Sequence, residues 1–279
     1  MITQAERGHI FRALHQRAGA FLIPNPWDIG SARLLARLGF EALATTSAGF
    51  AFSMGQQDNT IERQQMMTHA SAIASATELP VSADLENGFG DTPAVVAETI
   101  RLAAATGLVG CSIEDATQQP DHPIYDLEHA VERIRAAAEV VQALPFPFTL
   151  TARAENYLVG RPHLKETIKR LQRYQEAGAN VLYAPGLTSK EDIAAVVSSV
   201  DLPVNVLTGL RGMNLNLEEL SAMGVKRVSV GSALSRTALG AFLRAAKEMR
   251  EHGTFTFVED AVSFPELSAM FANHGDKIQ

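Results

Sequence analysis

Asp84 and Glu86 stand two residues apart in "VSADLENGFGD", directly after the apolar run "LPVSA". Residues two apart on a strand point to the same side. Two carboxylates would then leave the end of one strand together, followed by a permissive Gly-Phe-Gly turn. A second apolar run, "LVGCSIEDA", ends in Glu114 and Asp115. Acids gathered on neighbouring strands repel one another and are costly to bury without a counter-charge. A hard divalent cation would resolve both problems. Mg2+ takes a few carboxylates plus waters and leaves positions for substrate oxygens, and Mn2+ accepts the same ligands. The alternative is that these acids cap following helices or pair with Lys and Arg.

A third run, "PFTLTARAEN", puts Thr151, Arg153 and Glu155 on one face. The planar guanidinium of Arg153 suits a carboxylate or phosphate; the alternative is a buried salt bridge to the acids just named, and the two are compatible. Asn205 lies between two valines in "LPVNVLTG" and should face the same region, bonded to a ligand or to a neighbouring backbone group. Ser47, Ala48 and Gly49, in "TTSAG", could expose backbone N–H groups as a carboxylate or oxyanion cradle, or form an ordinary turn. Asp58 lies in the polar loop "FAFSMGQQDNT" and His122 in "ATQQPDHPIYD"; either loop could act as a lid, and a lone loop His is ordinarily just solvated. Cys111 precedes the acids inside its strand and reads as core. Asp28, in "PNPWD", is positioned to cap the helix "IGSARLLARLG".

Positioning these groups requires strands, and the chain provides them in alternation with Ala-rich amphipathic segments whose apolar residues recur every three or four positions. Alternating strands and helices imply parallel pairing. The chain contains about eight such units, the number that closes a (β/α)8 TIM-type barrel, whose active sites lie at the C-terminal ends of the strands. No strand is followed by G-x-G-x-x-G, which disfavours an open dinucleotide-binding sheet. The 279 residues show no linker or charge block, so one domain spanning 1–279 is expected. After the eighth unit, from about residue 241 to 279, come a helix and an apolar tail containing Phe255, Phe257, Phe264, Met270 and Phe271. Such a tail is expected to pack on the barrel or on a neighbouring subunit.

A net charge of -7, from 24 Lys+Arg against 31 Asp+Glu, argues against nucleic acid or an anionic membrane as the main partner. The single cysteine excludes an intrachain disulfide and suits a reducing cytoplasm. The N-terminal stretch has no apolar core of a signal peptide, and no apolar run is long enough to span a membrane. A cytoplasmic protein with a small-molecule substrate is the expectation.

In combination these residues resemble the isocitrate lyase / phosphoenolpyruvate mutase superfamily. The resemblance runs from "NPWDIGSARLLARLGF" to "RVSVGSAL". It rests on "ADLENGFGD" against the family's D-x-D-x-G-[YF]-G, "SIEDA" against [IL]-E-D, and "TARAEN" against x-A-R-[TA]-[DE]. The resemblance implies a barrel in which Mg2+ chelates the carboxylate and 2-oxo oxygen of a pyruvate-like unit. By position, Asp84 would bind the metal, while Glu86, Glu114 and Asp58 would hold its waters. Arg153 would grip the substrate, Ser47 with the backbone of Ala48 and Gly49 would hold its carboxylate, and Asn205 would line the mouth. It also implies a homotetramer, with the last helix exchanged between subunits.

The departures from the family pattern narrow the chemistry. Isocitrate and methylisocitrate lyases carry K-[KR]-C-G-H after the fourth strand; this chain has "EDATQQPDHPIYD", without Cys. They carry a Glu near the sixth strand, where this chain has Gly186 in "YAPGL". Both differences argue against a tricarboxylic lyase. The same loop has no Lys or Arg, which disfavours a phosphoryl donor. The expected activity is therefore that of a Mg2+-dependent carbon–carbon lyase or decarboxylase acting on a small 2-oxo or 2-hydroxy dicarboxylate of the oxaloacetate or substituted-malate type. Decarboxylation of a 2-oxo diacid needs no base. Cleavage of a substituted malate would need one, from Glu155, Tyr125 or His122. A P–C bond mutase or hydrolase and a non-catalytic dicarboxylate-binding barrel are the alternatives.

Overall fold

The computed structural model describes residues 2–272. Eight strands form one wholly parallel sheet: β1 (Phe21–Ile23), β2 (Leu43–Ala44), β3 (Val81–Asp84), β4 (Gly110–Glu114), β5 (Thr149–Arg153), β6 (Val181–Tyr183), β7 (Val204–Leu207) and β8 (Arg227–Ser229). Their order is β1-β8-β7-β6-β5-β4-β3-β2, so β1 and β2 face each other across the one seam without ladder pairing. The Ala44 N–H donates to the Pro24 carbonyl across that seam at 3.1 Å. Asn25 fastens the rim above it: its amide donates to the Thr45 carbonyl and its oxygen accepts from the N–H groups of Val230 and Gly231. The expected (β/α)8 barrel is thus nearly closed, and its eight strands are the eight apolar runs.

The helices follow from their caps and their apolar spacing. Helix α1 (Gln4–Gln16) precedes the barrel, and α2 (Ile29–Arg37) follows β1. Asp28 accepts from the Ser31 N–H at 2.6 Å and so caps α2 as expected. Helices α3 (Ser47–Ser53) and α4 (Arg63–Ala76) both lie between β2 and β3. In α5 (Pro93–Ala104), Thr92 caps, Pro93 occupies the first turn, and Val96, Ile100 and Ala103 bury one face. The ring continues with α6 (Leu127–Ala143), α7 (Leu164–Glu176), α8 (Lys190–Ser198), α9 (Leu217–Ala222) and α10 (Ala233–His252).

Strand periodicity divides the two faces of the sheet. Val81, Cys111, Ile113, Leu150, Ala152, Val204, Val206 and Val228 join the apolar layer beneath the helices. The alternate residues, Ser82, Asp84, Ser112, Glu114, Arg153, Asn205, Arg227 and Ser229, line a cavity inside the barrel. Many barrels fill that space with branched apolar side chains; this one is polar inside. Cys111 is buried in the outer apolar layer, as core.

Helix α1 closes the lower end. Phe11 and Leu14 form a cluster with Phe21, Ile23, Ala42 and Val109. Gly110 permits this approach, because a Cβ there would meet the Thr149 carbonyl oxygen at 2.8 Å and the Phe11 ring at 3.0 Å.

Beyond α10 a short 3-10 turn (Thr256–Asp260) leads to α11 (Phe264–Phe271), which lies against α2; Arg37 donates to the Ala269 carbonyl. The tail thus touches its own barrel, yet Phe264 remains 86% exposed and α10 buries only Ser235. Residues 273–279 of the expected tail lie outside the described residues.

Phe11 is fully buried. Phe11→Ala should therefore lower unfolding stability by about 3–5 kcal/mol in urea titration. A variant within about 1 kcal/mol of the parent would show that α1 does not plug the barrel.

Candidate active site

The barrel mouth encloses a cavity of about 470 Å³, lined among others by Ser47, Ala48, Asp58, Asp84, Glu114, Arg153, Glu155, Tyr183, Asn205 and Arg227. At its centre Arg153 holds three carboxylates, from β3, β4 and the segment just after β5. Nη1 donates to Asp84 Oδ1 at 2.7 Å, Nη2 pairs with Glu114 Oε2 at 3.0 Å, and Nε donates to Glu155 Oε1 at 2.8 Å. The ladder explains this convergence: Glu114 and Arg153 are direct partners, and Asp84 pairs with Ser112, two residues below Glu114. Burial works against the guanidinium charge, but Glu155, Glu114 and Asp84 hold it well above its ordinary value. A guanidinium has five N–H donors, so three used here leave two for a ligand.

The acids outnumber the cations. Burial pushes the Glu114 carboxyl well above its usual range; Arg153 opposes this, while Glu155 and Asp84 reinforce it. Glu155 is likewise pushed up by burial against the pull of Arg153. Asp58 is raised by burial and by the Asp84 charge. It shares the Ser47 hydroxyl with Asp84, at 3.1 Å each. One hydroxyl proton cannot serve two carboxylates at once; what it gives Asp58 acts against the rise. The Ser47 N–H points at Asp84 Oδ2, 3.3 Å away.

Four expectations need correction. Glu86 was expected to share a face with Asp84, but the strand ends at Asp84 and Glu86 has a left-handed backbone with φ of 49°. Its buried side chain turns into a neighbouring cavity between the loops, where Oε2 accepts from Gln118 Nε2 at 3.3 Å and Oε1 has no partner. Burial, with the Asp84 and Asp58 charges behind it, pushes Glu86 up to about 8. Gly49 does not line the mouth. Its N–H donates to Thr46 Oγ1 in the cap of α3, and a Cβ there would strike Thr46 at 2.6 Å. Asn205 lines the cavity but spends its amide inside the barrel, donating to Ser229 Oγ and accepting from Arg227 Nε. Of the possible bases, His122 is an exposed loop residue outside the cavity, and Tyr125 donates its hydroxyl to Asp91. Glu155 alone of the three lies in the mouth.

Asp115, beside Glu114, points the other way. It accepts from Arg170, Tyr174 and the Glu155 N–H, and so ties the end of β5 to β4 and α7. Arg227, Tyr183, Asn25 and Ser112 also line the mouth and were not singled out from the sequence. For Arg227 the signal was present: in "KRVSV" the polar residues alternate as they do in "TLTAR".

A family model described as phosphoenolpyruvate phosphomutase matches residues 11–250. The chain belongs to this family. It is accordingly a member of the isocitrate lyase / phosphoenolpyruvate mutase superfamily, as its motifs indicated. A crystal structure from Burkholderia cenocepacia J2315 is 63% identical, covers 97% of each chain and superposes with a TM-score of 0.95. The 2-methylisocitrate lyase of Escherichia coli (strain K12) is 30% identical over 206 residues, 71% of this chain and 68% of its own. An oxaloacetate acetylhydrolase solved with its product oxalate is 26% identical, with a TM-score of 0.85 over 97% of this chain and 95% of the other. Among the described residues no helix is long and apolar enough to cross a membrane.

The family implies a divalent metal, and the donors fit one in a limited sense. Among the described residues no three His, Cys, Asp or Glu side chains form a common coordination cage. The expectation of Asp84 on the metal, with Glu86, Glu114 and Asp58 holding its waters, does not require such a cage. A single carboxylate with water-mediated neighbours remains compatible with Mg2+, which keeps most of its waters. The orphaned Glu86 oxygen and the upward-shifted Asp58, Glu86 and Glu114 are what an acid-rich site short of positive charge should display.

Glu86 titrates higher in the folded protein than its unfolded value of 4.5. The folded state thus binds the proton more tightly, and stability is lost as pH rises through the interval up to about 8. Metal-free Glu86→Gln should therefore gain melting temperature over the parent at about pH 9 relative to about pH 5. Parallel curves for the two proteins would contradict the raised Glu86.

Proposed function

We propose that the protein breaks a carbon–carbon bond in a small 2-oxo or 2-hydroxy dicarboxylate of the oxaloacetate or substituted-malate type, with Mg2+ or Mn2+ as cofactor. One observation carries this reading: the mouth is rich in carboxylates, and among the described residues its cations are Arg153 and Arg227 and no Lys, Cys or His lines it. That composition lacks the cations a transferring phosphoryl group calls for and the acid/base Cys of the tricarboxylic lyases. It retains what decarboxylation or retro-aldol cleavage of a 2-oxo or 2-hydroxy diacid requires, namely charge stabilisation. The oxalate bound by the oxaloacetate acetylhydrolase relative supports a small dicarboxylate of this kind.

In this reading Asp84 holds the metal directly, and Asp58, Glu86 and Glu114 hold its waters. When bound, the metal supplies Lewis-acid polarisation of the 2-oxo or 2-hydroxy oxygen. Arg153 grips the substrate carboxylate with its two free N–H groups. The backbone at Ala48 presents a further donor, Ser47 steadies Asp84 through its N–H and hydroxyl, and Asn205 orients the cationic floor. Loss of CO2 from a 2-oxo diacid needs no proton transfer in the bond-breaking step. For a hydroxy acid, Glu155 is the carboxyl suited to take the hydroxyl proton, held in place by Arg153 and by Asp115 through its own N–H. The apolar exposed side chains of α10 and the tail, Phe242 and Phe264 among them, support assembly into an oligomer, a homotetramer with exchanged helices in the family pattern.

The direct test follows pyruvate release from oxaloacetate, substituted malates and phosphonopyruvate, with Mg2+ and with chelator. Pyruvate from a C–C substrate, lost with chelator, is expected. Turnover of phosphonopyruvate alone would move the reading to P–C chemistry, and metal binding with no turnover would favour a binding protein. Asp84→Ala should abolish metal-dependent activity while the circular dichroism spectrum stays unchanged; retained activity would remove Asp84 from the metal. Arg153→Lys should raise KM by about tenfold or more, since Lys cannot make the forked contact. An unaltered KM would remove Arg153 from substrate binding.

A further inference from the structure

Arg227 is the second cation of the mouth, and it is held differently from the first. It opens β8 in register with Asn205 and reaches across the barrel interior. Nε donates to Asn205 Oδ1 at 2.9 Å and Nη2 to Thr151 Oγ1 at 3.0 Å. Nη1 is buried and finds no acceptor among the described residues. Arg153 has three carboxylate partners, whereas no ion pair among the described residues involves Arg227. An amide and a hydroxyl satisfy hydrogen bonds but neutralise no charge. His15, beneath it, stays neutral: burial, helped by the Arg227 charge, pushes its imidazole down to about 3.

Burial pushes the Arg227 guanidinium down to about 10, with Tyr183 opposing and Arg153 assisting. It therefore stays cationic near neutral pH. A buried, unneutralised cation is costly to hold. The residue touching its Nε is Asn205, where an aspartate of nearly the same size would have removed that cost. Thr151, which it also touches, lies two residues below Arg153 on β5. Arg227 thus lies one layer below the Arg153 cluster and lines the same cavity.

We infer that Arg227 is a specificity-determining residue whose free positive charge selects doubly charged ligands over singly charged ligands of the same shape. It acts through the field it projects into a partly desolvated mouth, where charge interactions are stronger than in water. Asn205 is its positioning residue, leaving that charge uncancelled. The inference rests on the dicarboxylate reading above and adds a basis for the second charge.

The test uses two isosteric probes, oxalate (two charges) and oxamate (one), titrated calorimetrically into the Mg2+-loaded full-length protein. The parent should prefer oxalate. Arg227→Met should cut that preference about tenfold or more, and Arg227→Lys, which keeps the charge, should retain most of it. Asn205→Asp leaves Arg227 in place and cancels its charge, so it should cut the preference too; it decides the matter if Arg227→Met fails to fold. A parent-like preference in Asn205→Asp overturns the inference and leaves the dicarboxylate reading standing. A parent that binds no oxalate in the presence of Mg2+ overturns both.

Discussion

The mouth of this barrel is organised around one guanidinium shared by three carboxylates. Arg153 draws Asp84, Glu114 and Glu155 from β3, β4 and the end of β5 to a common centre. Burying such a group forfeits much hydration, and its mutual attractions barely repay that loss. Its value lies in geometry, because a planar fork fixes three acids at defined directions in a way a point charge cannot. The surplus of acids over cations keeps the mouth receptive to further positive charge. Asp58 and Glu86, outside the Arg153 clamp, express the same shortage through their raised carboxyls.

Holding that centre requires the strands around it to be fixed from behind. The adjacent acids of "SIEDA" divide the work. Glu114 turns inward to Arg153, and Asp115 turns outward to Arg170, Tyr174 and the Glu155 N–H. The two acids thus pair with different arginines, on opposite sides of the end of β4. Alternation therefore does more than separate core from cavity. It lets neighbouring residues build the site and its support, with the apolar positions between them securing the sheet to its helices.

That alternation is also why so much was legible in the sequence. Eight apolar runs separated by amphipathic segments gave the barrel, and polar residues at every second position of β3, β4 and β5 gave Asp84, Glu114 and Arg153. The readings failed where the period stopped or the partner lay far away in sequence. Glu86 follows Asp84 by two residues, but the strand ends between them and a left-handed turn re-aims the side chain. Gly49 belongs to the cap of α3, where close packing against Thr46 and Trp27 rather than ligand approach demands a glycine. Asn205 faces the interior as its pattern required, yet its partners come from β8, some twenty residues on, and no local rule supplies them.

The loops carry a different kind of information from the barrel. Every left-handed non-glycine residue among the described ones, Asn59, Glu86, Phe89 and Gln118, lies in the loops after β2, β3 and β4. Three of them are joined side chain to side chain, since Gln118 Nε2 donates to both Asn59 Oδ1 and Glu86 Oε2. Such conformations persist only where their surroundings over-determine them. The Gln118 contact is one such determinant, tying the loop after β4 to the two beside it. The cavity inside the barrel is lined by strand residues, while its rim is built by the loops that follow them. Asn59 lines the main cavity and, with Glu86 and Gln118, the neighbouring one, so the bonds that join these loops also shape the wall between the two.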